Sequence, residues 1–342
     1  MTKGLDSLGE FGIVELFRQM AQVDGNSRLG IGDDCAAIPV DDFSPGQILI
    51  TTDALVEGVH FLKDKTPPNS LGHKALAVSV SDIAAMGGQP VAAFLSLGLT
   101  RDVDEAWIRD FAKGFMECAG LFGIELLGGD TVESKQEIFL NVTLLGKSGS
   151  TKGIKRCGAQ PGDIIYLGRP TGHSAAGLHL LKNQVTGIEP EDRDVLIQSH
   201  LLPRPQVRLG LALSRRGLAH AMIDISDGLL QDLKHICDES GLGAEIHTKD
   251  IPLSKQLERL GRLVGHSPLD WALFGGEDYC LLFCVDPKLA HETEALCMQE
   301  NDLQIWKIGT MIHGRGVKVF KDGKLLESNN LGYEHFSDFQ TD

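Results

Sequence analysis

Apolar runs of strand length alternate with longer segments of helical periodicity along the whole chain. That alternation confines it to layered α/β-type architectures. ILITTD (48–53) reads as a buried strand with a polar end, and Leu71 to Met86, with Leu71, Ala75, Val78 and Ile83, as an Ala-rich helix. VAAFLSLGL (91–99) reads as a strand, and 104–122 as a helix with Ile108, Phe111, Phe115, Cys118 and Phe122 on one face. IELL (124–127) is a short strand running into the turn Gly128-Gly129-Asp130-Thr131, and 137–146 is a further strand. The pattern then repeats: strands at 163–168, 219–227, 279–285 and 304–320, helices at 174–183, 205–216, from Leu229 to Cys237, and 289–300. Pro205 suits a first helical turn, and Lys321-Asp322-Gly323 a tight turn. A length of 342 residues suits two domains. The Gly/Ser/Lys-rich stretch 147–153 divides them, giving expected domains 1–148 and 149–342.

Charge narrows the partners. Asp and Glu outnumber Lys and Arg 47 to 32, a net charge of −15, which repels polyanions and argues against nucleic-acid or anionic-lipid binding. No apolar run approaches membrane-spanning length, and the first residues lack a basic and then apolar leader pattern. The expectation is a cytoplasmic enzyme without nucleic-acid or membrane partners.

Several local patterns carry no chemistry. The seven Cys are scattered and odd in number, so they make no disulfide framework; Cys280 and Cys284 read as small hydrophobes of a buried strand. Gly146-Lys147-Ser148 ends like a phosphate-binding P-loop, but the required earlier Gly is Asn141 and a strand lies between. His291-Glu292 lacks the second His of a zinc-protease helix, Ala295 standing there instead. Asn141-Val142-Thr143 is a chance glycosylation match inside an apolar run.

The informative carboxylates are those placed beside strand ends and Gly-rich turns. Asp33 and Asp34 follow Gly30-Ile31-Gly32, Asp53 ends ILITT, and Asp130 follows Gly128-Gly129. Asp224 and Asp227 bracket Ile225-Ser226, and Glu277-Asp278 follow Gly275-Gly276. Any one of them suits a helix cap or an Asx-turn. Asp82 is different, because it sits inside an apolar helix where an uncompensated carboxylate is costly. Period two puts Asp224 and Ser226 on one strand face. Carboxylates converging on one pocket need cations between them, and Mg²⁺ shared with substrate phosphates is the natural choice. Few Lys or Arg cluster near these acids, so metal ions would neutralise a polyphosphate, with Gly-rich turns offering backbone N–H groups.

These motifs, in this order, resemble the thiamine-monophosphate kinases of the PurM-like, AIR synthetase-related superfamily. The matching segments are 30–36 (GIGDDCA), 51–61 (TTDALVEGVHF), 74–78 with 81–87 (KALAV, SDIAAMG), 128–131 (GGDT), 224–229 (DISDGL), 275–279 (GGEDY) and Gly332-Tyr333. They span nearly the whole chain, and the Thr51–Phe61 block is the most discriminating.

The resemblance implies an α+β (α/β-type), two-domain PurM-like fold whose N-terminal domain forms a homodimer. It implies transfer of phosphate from ATP to thiamine monophosphate, giving thiamine diphosphate, with several Mg²⁺ ions and no phosphoenzyme. Metal ligands would be Asp34, Thr51, Thr52, Asp53, Asp82, Asp130, Asp224 and Asp227. Gly129, Asp130, Arg156 and Ser226 would contact ATP, and His60, Glu277 and Tyr333 the thiamine phosphate. No activated Ser, Cys or His nucleophile stands out, in keeping with direct transfer.

Two departures stand out: His173 replaces an expected Asp, and Val132-Glu133-Ser134 replaces a turn that usually carries Arg. The rivals are a superfamily cousin acting on another small substrate and a non-catalytic Mg-nucleotide sensor. A selenophosphate synthetase would need a nucleophilic Cys before Gly30, and there is none.

Overall fold

The computed structural model describes residues 36–39, 46–299 and 303–326. The expected metal ligand Asp34 and the expected acceptor residue Tyr333 lie outside the described residues.

The first layer is a five-stranded sheet in the order β1-β2-β5-β3-β4. Its strands are β1 (Ala36–Pro39), β2 (Gln47–Val56), β3 (Gly88–Leu99), β4 (Glu125–Glu133) and β5 (Phe139–Ser148). Only the β3–β4 pair is parallel, and the helix between those strands supplies the crossover. Helix α1 (Pro68–Ala85) and helix α2 (Glu105–Phe122) cover one face. Pro68 opens α1 at its first position, and Asp104 caps α2 by accepting from the Trp107 N–H at 2.8 Å.

Two expectations about this sheet need correcting. Asp53 does not end its strand, because pairing with β5 carries β2 on to Val56. Residues 128–131 are not a turn either, because β4 continues through them alongside β3. Glycine tolerates turns without requiring them, and here the ladder decides.

The second layer is a seven-stranded sheet in the order β12-β11-β8-β10-β6-β9-β7. Its strands are β6 (Ile164–Leu167), β7 (Ala221–Asp224), β8 (Gly243–His247), β9 (Leu281–Val285), β10 (Trp306–Ile312), β11 (Gly316–Lys321) and β12 (Lys324–Leu326). Helices α3 (His173–Lys182), α4 (Pro190–Leu201), α5 (Val207–Arg216), α6 (Leu229–Ser240), α7 (Lys255–Val264), α8 (Pro268–Phe274) and α9 (Ala290–Gln299) belong to this half. Sequence periodicity misses α4, α7, α8 and β8. It also extends β7 too far: the strand stops at Asp224, so Ser226 lies in the following turn rather than on a strand face with it.

The two halves share a core. Leu71, Leu76 and Ile83 of α1 belong to the same apolar cluster as Leu209, Met222 and Phe283 of the second half. A separate cluster, including Leu233, Ile246 and Leu282, lies wholly within the second half. Helix α1 is therefore buried almost all round, packed between the first sheet and the β7–α5 side of the second half.

Candidate active site

Helix α1 reaches across to β2 through polar side chains. Ser79 Oγ donates to Asp53 Oδ2 at 2.6 Å, and Thr51 Oγ1 donates to Asp82 Oδ2. Thr51 and Asp53, two apart, share the helix-facing side of the strand. The Asp82 side chain is half-buried rather than sealed in apolar surroundings, which resolves the cost of its place in the helix.

Thr52 points to the opposite, open face, within 3.2 Å of Asn141 Oδ1 and Thr143 Oγ1. Asp130 lies beside Ser96, which lies opposite Asn141, so Asp130 is also on the open face. Three strand spacings separate Thr52 from Asp130, about 14 Å. The structure thus brings Thr51, Asp53 and Asp82 together, and sets Thr52 and Asp130 apart from them. Next to Asp130, Gly129 has φ +153°, and a Cβ there would lie 1.7 Å from the Leu95 carbonyl oxygen. Glu133, one of the residues that depart from the expected pattern and the last of β4, pairs with Arg101 at 2.9 Å.

From the second half comes the turn after β7. Asp224 is 2% exposed at the end of that strand. Asp232 Oδ2, on the first turn of α6, accepts the backbone N–H groups of Ser226, Asp227 and Gly228, each at 3.1 Å. Burial, then the charges of Asp227 and Asp224, push the Asp232 carboxyl well up, while Arg156 pulls it down. Ligand atoms of Asp227, Asp232 and His235 lie within 4.8 Å of one another. Arg156 and Ser226, both expected at ATP, therefore border this acidic turn.

A second turn is hydrogen-bonded to the first. The Glu277 N–H donates to Ser226 O at 2.7 Å, and the Tyr279 N–H to Ile225 O at 2.8 Å. Glu277 and Tyr279 hold φ of 63° and 47°, a left-handed conformation that costs non-glycine residues energy and clusters at functional sites. Gly276 permits the approach, since a Cβ there would sit 2.5 Å from Ser226 O.

The Glu277 carboxylate is 26% exposed, with Oε1 2.8 Å from Lys74 Nζ and Oε2 3.3 Å from His200 Nδ1. Burial raises this carboxyl, but Lys74, His200 and His60 together hold it below its ordinary value. His60 Nδ1 accepts the Val56 N–H at 3.0 Å, so in the neutral ring Nε2 carries the proton. The buried Tyr279 phenol is pushed well up by burial, then by the charges of Glu277, Asp53, Asp224 and Asp227. Acids from both halves of the chain thus surround one ring.

Asp278, behind the turn, accepts from the Gly172 and Ser174 N–H groups at 2.5 and 3.1 Å, and burial pushes its carboxyl up to about 7. His173 is turned to Ser254 Oγ, 2.6 Å away, with burial and then Arg169 lowering its ring to about 4. Burial pushes up the thiols of Cys118, Cys237, Cys280, Cys284 and Cys297, so none of these is an activated nucleophile.

Sequence reasoning gave no role to Lys74, Ser79, His200, Asp232 or Tyr279. Lys74 and Asp232 did carry a signal: each is a charged residue at an otherwise apolar position of its helix.

Residues 32–148 match the family model for the AIR synthase related protein N-terminal domain, and residues 160–322 that for its C-terminal domain. A thiamine-monophosphate kinase of Escherichia coli O157:H7 is 39% identical over 332 residues, covering 96% of this chain and 98% of that protein. The solved structure of AaThiL complexed with AMPPCP and TMP superposes with a TM-score of 0.85 at 34% identity, covering 98% and 99% of the two chains. A thiamine-monophosphate kinase structure from Stenotrophomonas maltophilia K279a gives a TM-score of 0.74 at 36% identity over 93% and 98%. With both domain models matched in order and close to full-length coverage on each side, this chain belongs to the thiamine-monophosphate kinase family of AIR synthase related proteins.

Proposed function

We propose that the protein transfers the γ-phosphoryl group of ATP to thiamine monophosphate, giving thiamine diphosphate and ADP. The observation that carries this reading is the pair of interlocked turns. One, at 224–228, is acidic and suited to a metal-bound polyphosphate; the other, at 275–279, presents a carboxylate suited to a cationic acceptor.

Mg²⁺ fits the donors present. Thr51, Asp53, Asp82, Asp224 and Asp227 offer hard oxygens, and the charges crowding Tyr279 and Asp232 call for a cation. Bound there, Mg²⁺ would neutralise phosphate charge as it builds on the oxygens of the transferring group. Asp34, Thr52 and Asp130 stay among the proposed ligands, but Thr52 and Asp130, on the open face of the sheet and three strands apart, would serve ions other than the one held by the helix-side group. On ATP, Arg156 offers its guanidinium, while Ser226 and Gly129 offer groups on or beside close-approach backbone. On the acceptor, Glu277 faces the thiazolium and aminopyrimidine, His60 offers its Nε2–H, and Tyr333 an aromatic face.

Transfer is direct. A phosphate oxygen of the acceptor attacks the γ-phosphorus in line, the bond from that phosphorus to the β–γ bridging oxygen breaks, and ADP leaves. A phosphate ester already carries ionised oxygens at neutral pH, so no general base is needed.

We assign two domains, 1–148 and 149–342, and a homodimer formed through the open face of the first sheet. Exposed Phe94, Val132 and Phe139 on that face support the assignment. A cytoplasmic setting suits an ATP-consuming enzyme, and no described helix is long and apolar enough to cross a membrane.

A coupled ADP assay across phosphate-ester acceptors tests the reading. Turnover with thiamine monophosphate supports it, and ATP binding without turnover favours a nucleotide sensor.

A further inference from the structure

Helix α1 holds a lysine where an apolar residue would pack. The Lys74 side chain is 1% exposed, among Leu71, Ala75, Leu76, Ala77 and Val78 of the same buried helix. Charges are placed so deeply only with partners, and a buried ion pair is a weak source of stability compared with an apolar pair. Its worth here lies in what it joins. Nζ stands 2.8 Å from Glu277 Oε1 and 3.4 Å from the His60 carbonyl oxygen. Those contacts reach a turn of the second half and a turn of the first, each carrying one proposed acceptor residue.

The other carboxylate oxygen, Oε2, is 3.3 Å from His200 Nδ1, and that nitrogen is 3.0 Å from Ser174 Oγ. Lys74 at one oxygen and His200 beside the other hold the carboxylate between them and leave lone pairs on its 26% exposed side. The left-handed backbone of Glu277, at φ 63°, is a conformation that surrounding contacts must hold in place.

We propose that Lys74 is a positioning residue for the acceptor: its ammonium ties the Glu277 carboxylate of one domain to the His60 turn of the other and so aims that carboxylate at the cationic acceptor. The proposal rests on the reading of Glu277 as an acceptor contact. Lys74, 1% exposed, is shielded from bound substrate, and its ammonium meets the Glu277 side chain, whereas the ATP turn is held by the Glu277 backbone N–H. Its removal therefore acts on acceptor binding alone, and only through Glu277.

The experiment is a double-mutant cycle in steady-state kinetics on the full chain, using Lys74→Met, Glu277→Gln and the pair together. Lys74→Met raises KM for thiamine monophosphate by about tenfold or more while KM for ATP stays within about twofold, and the double variant is no worse than Glu277→Gln alone. If Lys74→Met does not fold, the double variant, which leaves no unpaired buried charge, is compared with Glu277→Gln: equal acceptor KM supports the proposal, and a further rise of about tenfold overturns it. Acceptor effects that multiply, or a rise in both KM values that follows a fall in Tm, show a merely structural lysine and overturn the proposal alone. An unchanged acceptor KM in Glu277→Gln overturns the acceptor reading of that residue and the proposal with it.

Discussion

The backbone N–H of Glu277 donates to the carbonyl oxygen of Ser226 across 2.7 Å, fastening the proposed acceptor turn to the proposed ATP turn. Donor and acceptor binding therefore share a hinge of backbone. A Cβ at Gly276 would stand 2.5 Å from the same carbonyl oxygen. Gly276→Ala is expected to force the turns apart and raise KM for ATP and for thiamine monophosphate together, each by about tenfold, or about 1.4 kcal/mol. Steady-state kinetics with each substrate varied in turn checks this, and unchanged KM values would show that the two turns act independently.

Metal binding is tested at Asp53, held by Ser79 at 2.6 Å, and at Asp130 on the open face. Asp→Asn at either position should lower turnover by about 100-fold or more with the fold retained. Mg²⁺ titrations of the rate, alongside circular dichroism, read both. Near-normal turnover of Asp130→Asn at limiting Mg²⁺ would remove Asp130 from the ligand set, and the same result at Asp53 would remove the helix-side cluster.

Acid stability follows from buried histidines. Burial, with Lys74 adding to it and Glu277 opposing, lowers His200 to about 4 from its ordinary 6.5. Between those values the unfolded chain binds the proton that the folded chain refuses, so this contribution is complete above about pH 6.5 and is lost as pH falls towards about 4. Asp278, raised to about 7, acts in the opposite sense, lowering stability as pH rises towards 7, and is common to both proteins compared. Urea unfolding at pH 7.5 and pH 5 should show a smaller acid loss in His200→Gln, by about 2 kcal/mol. Equal acid losses in the two proteins would show that His200 takes up its proton in the folded state.

The open sheet face should carry the dimer. Phe94→Asp with Val132→Asp is expected to give a monomer by light scattering, with the helix-covered core untouched. An unchanged mass would place the contact elsewhere.

The carboxylates were legible because acids beside apolar runs are conspicuous: Asp82, Asp224 and Glu277 stand out against Ile83, Ile223 and Leu281. The pairings were not. That Glu277 meets Ser226 and Lys74, or that Ser79 meets Asp53, depends on how distant segments pack, and no local pattern encodes it. Gly128-Gly129-Asp130 read as a turn because glycine favours turns, whereas pairing with β3 keeps the segment extended. Ser226 read as a strand residue because Ile225 continues the apolar pattern, yet Asp232 folds the backbone there into a turn.

Phosphoryl transfer to a phosphate acceptor is followed by tracing a labelled phosphate from donor to product. The full chain is incubated with ATP labelled at the γ-phosphate, Mg²⁺ and thiamine monophosphate, and the products are separated. Direct transfer puts the label in the terminal phosphate of thiamine diphosphate, equimolar with ADP, and none on the protein. Label that stays in ATP, despite saturable nucleotide binding, would contradict it.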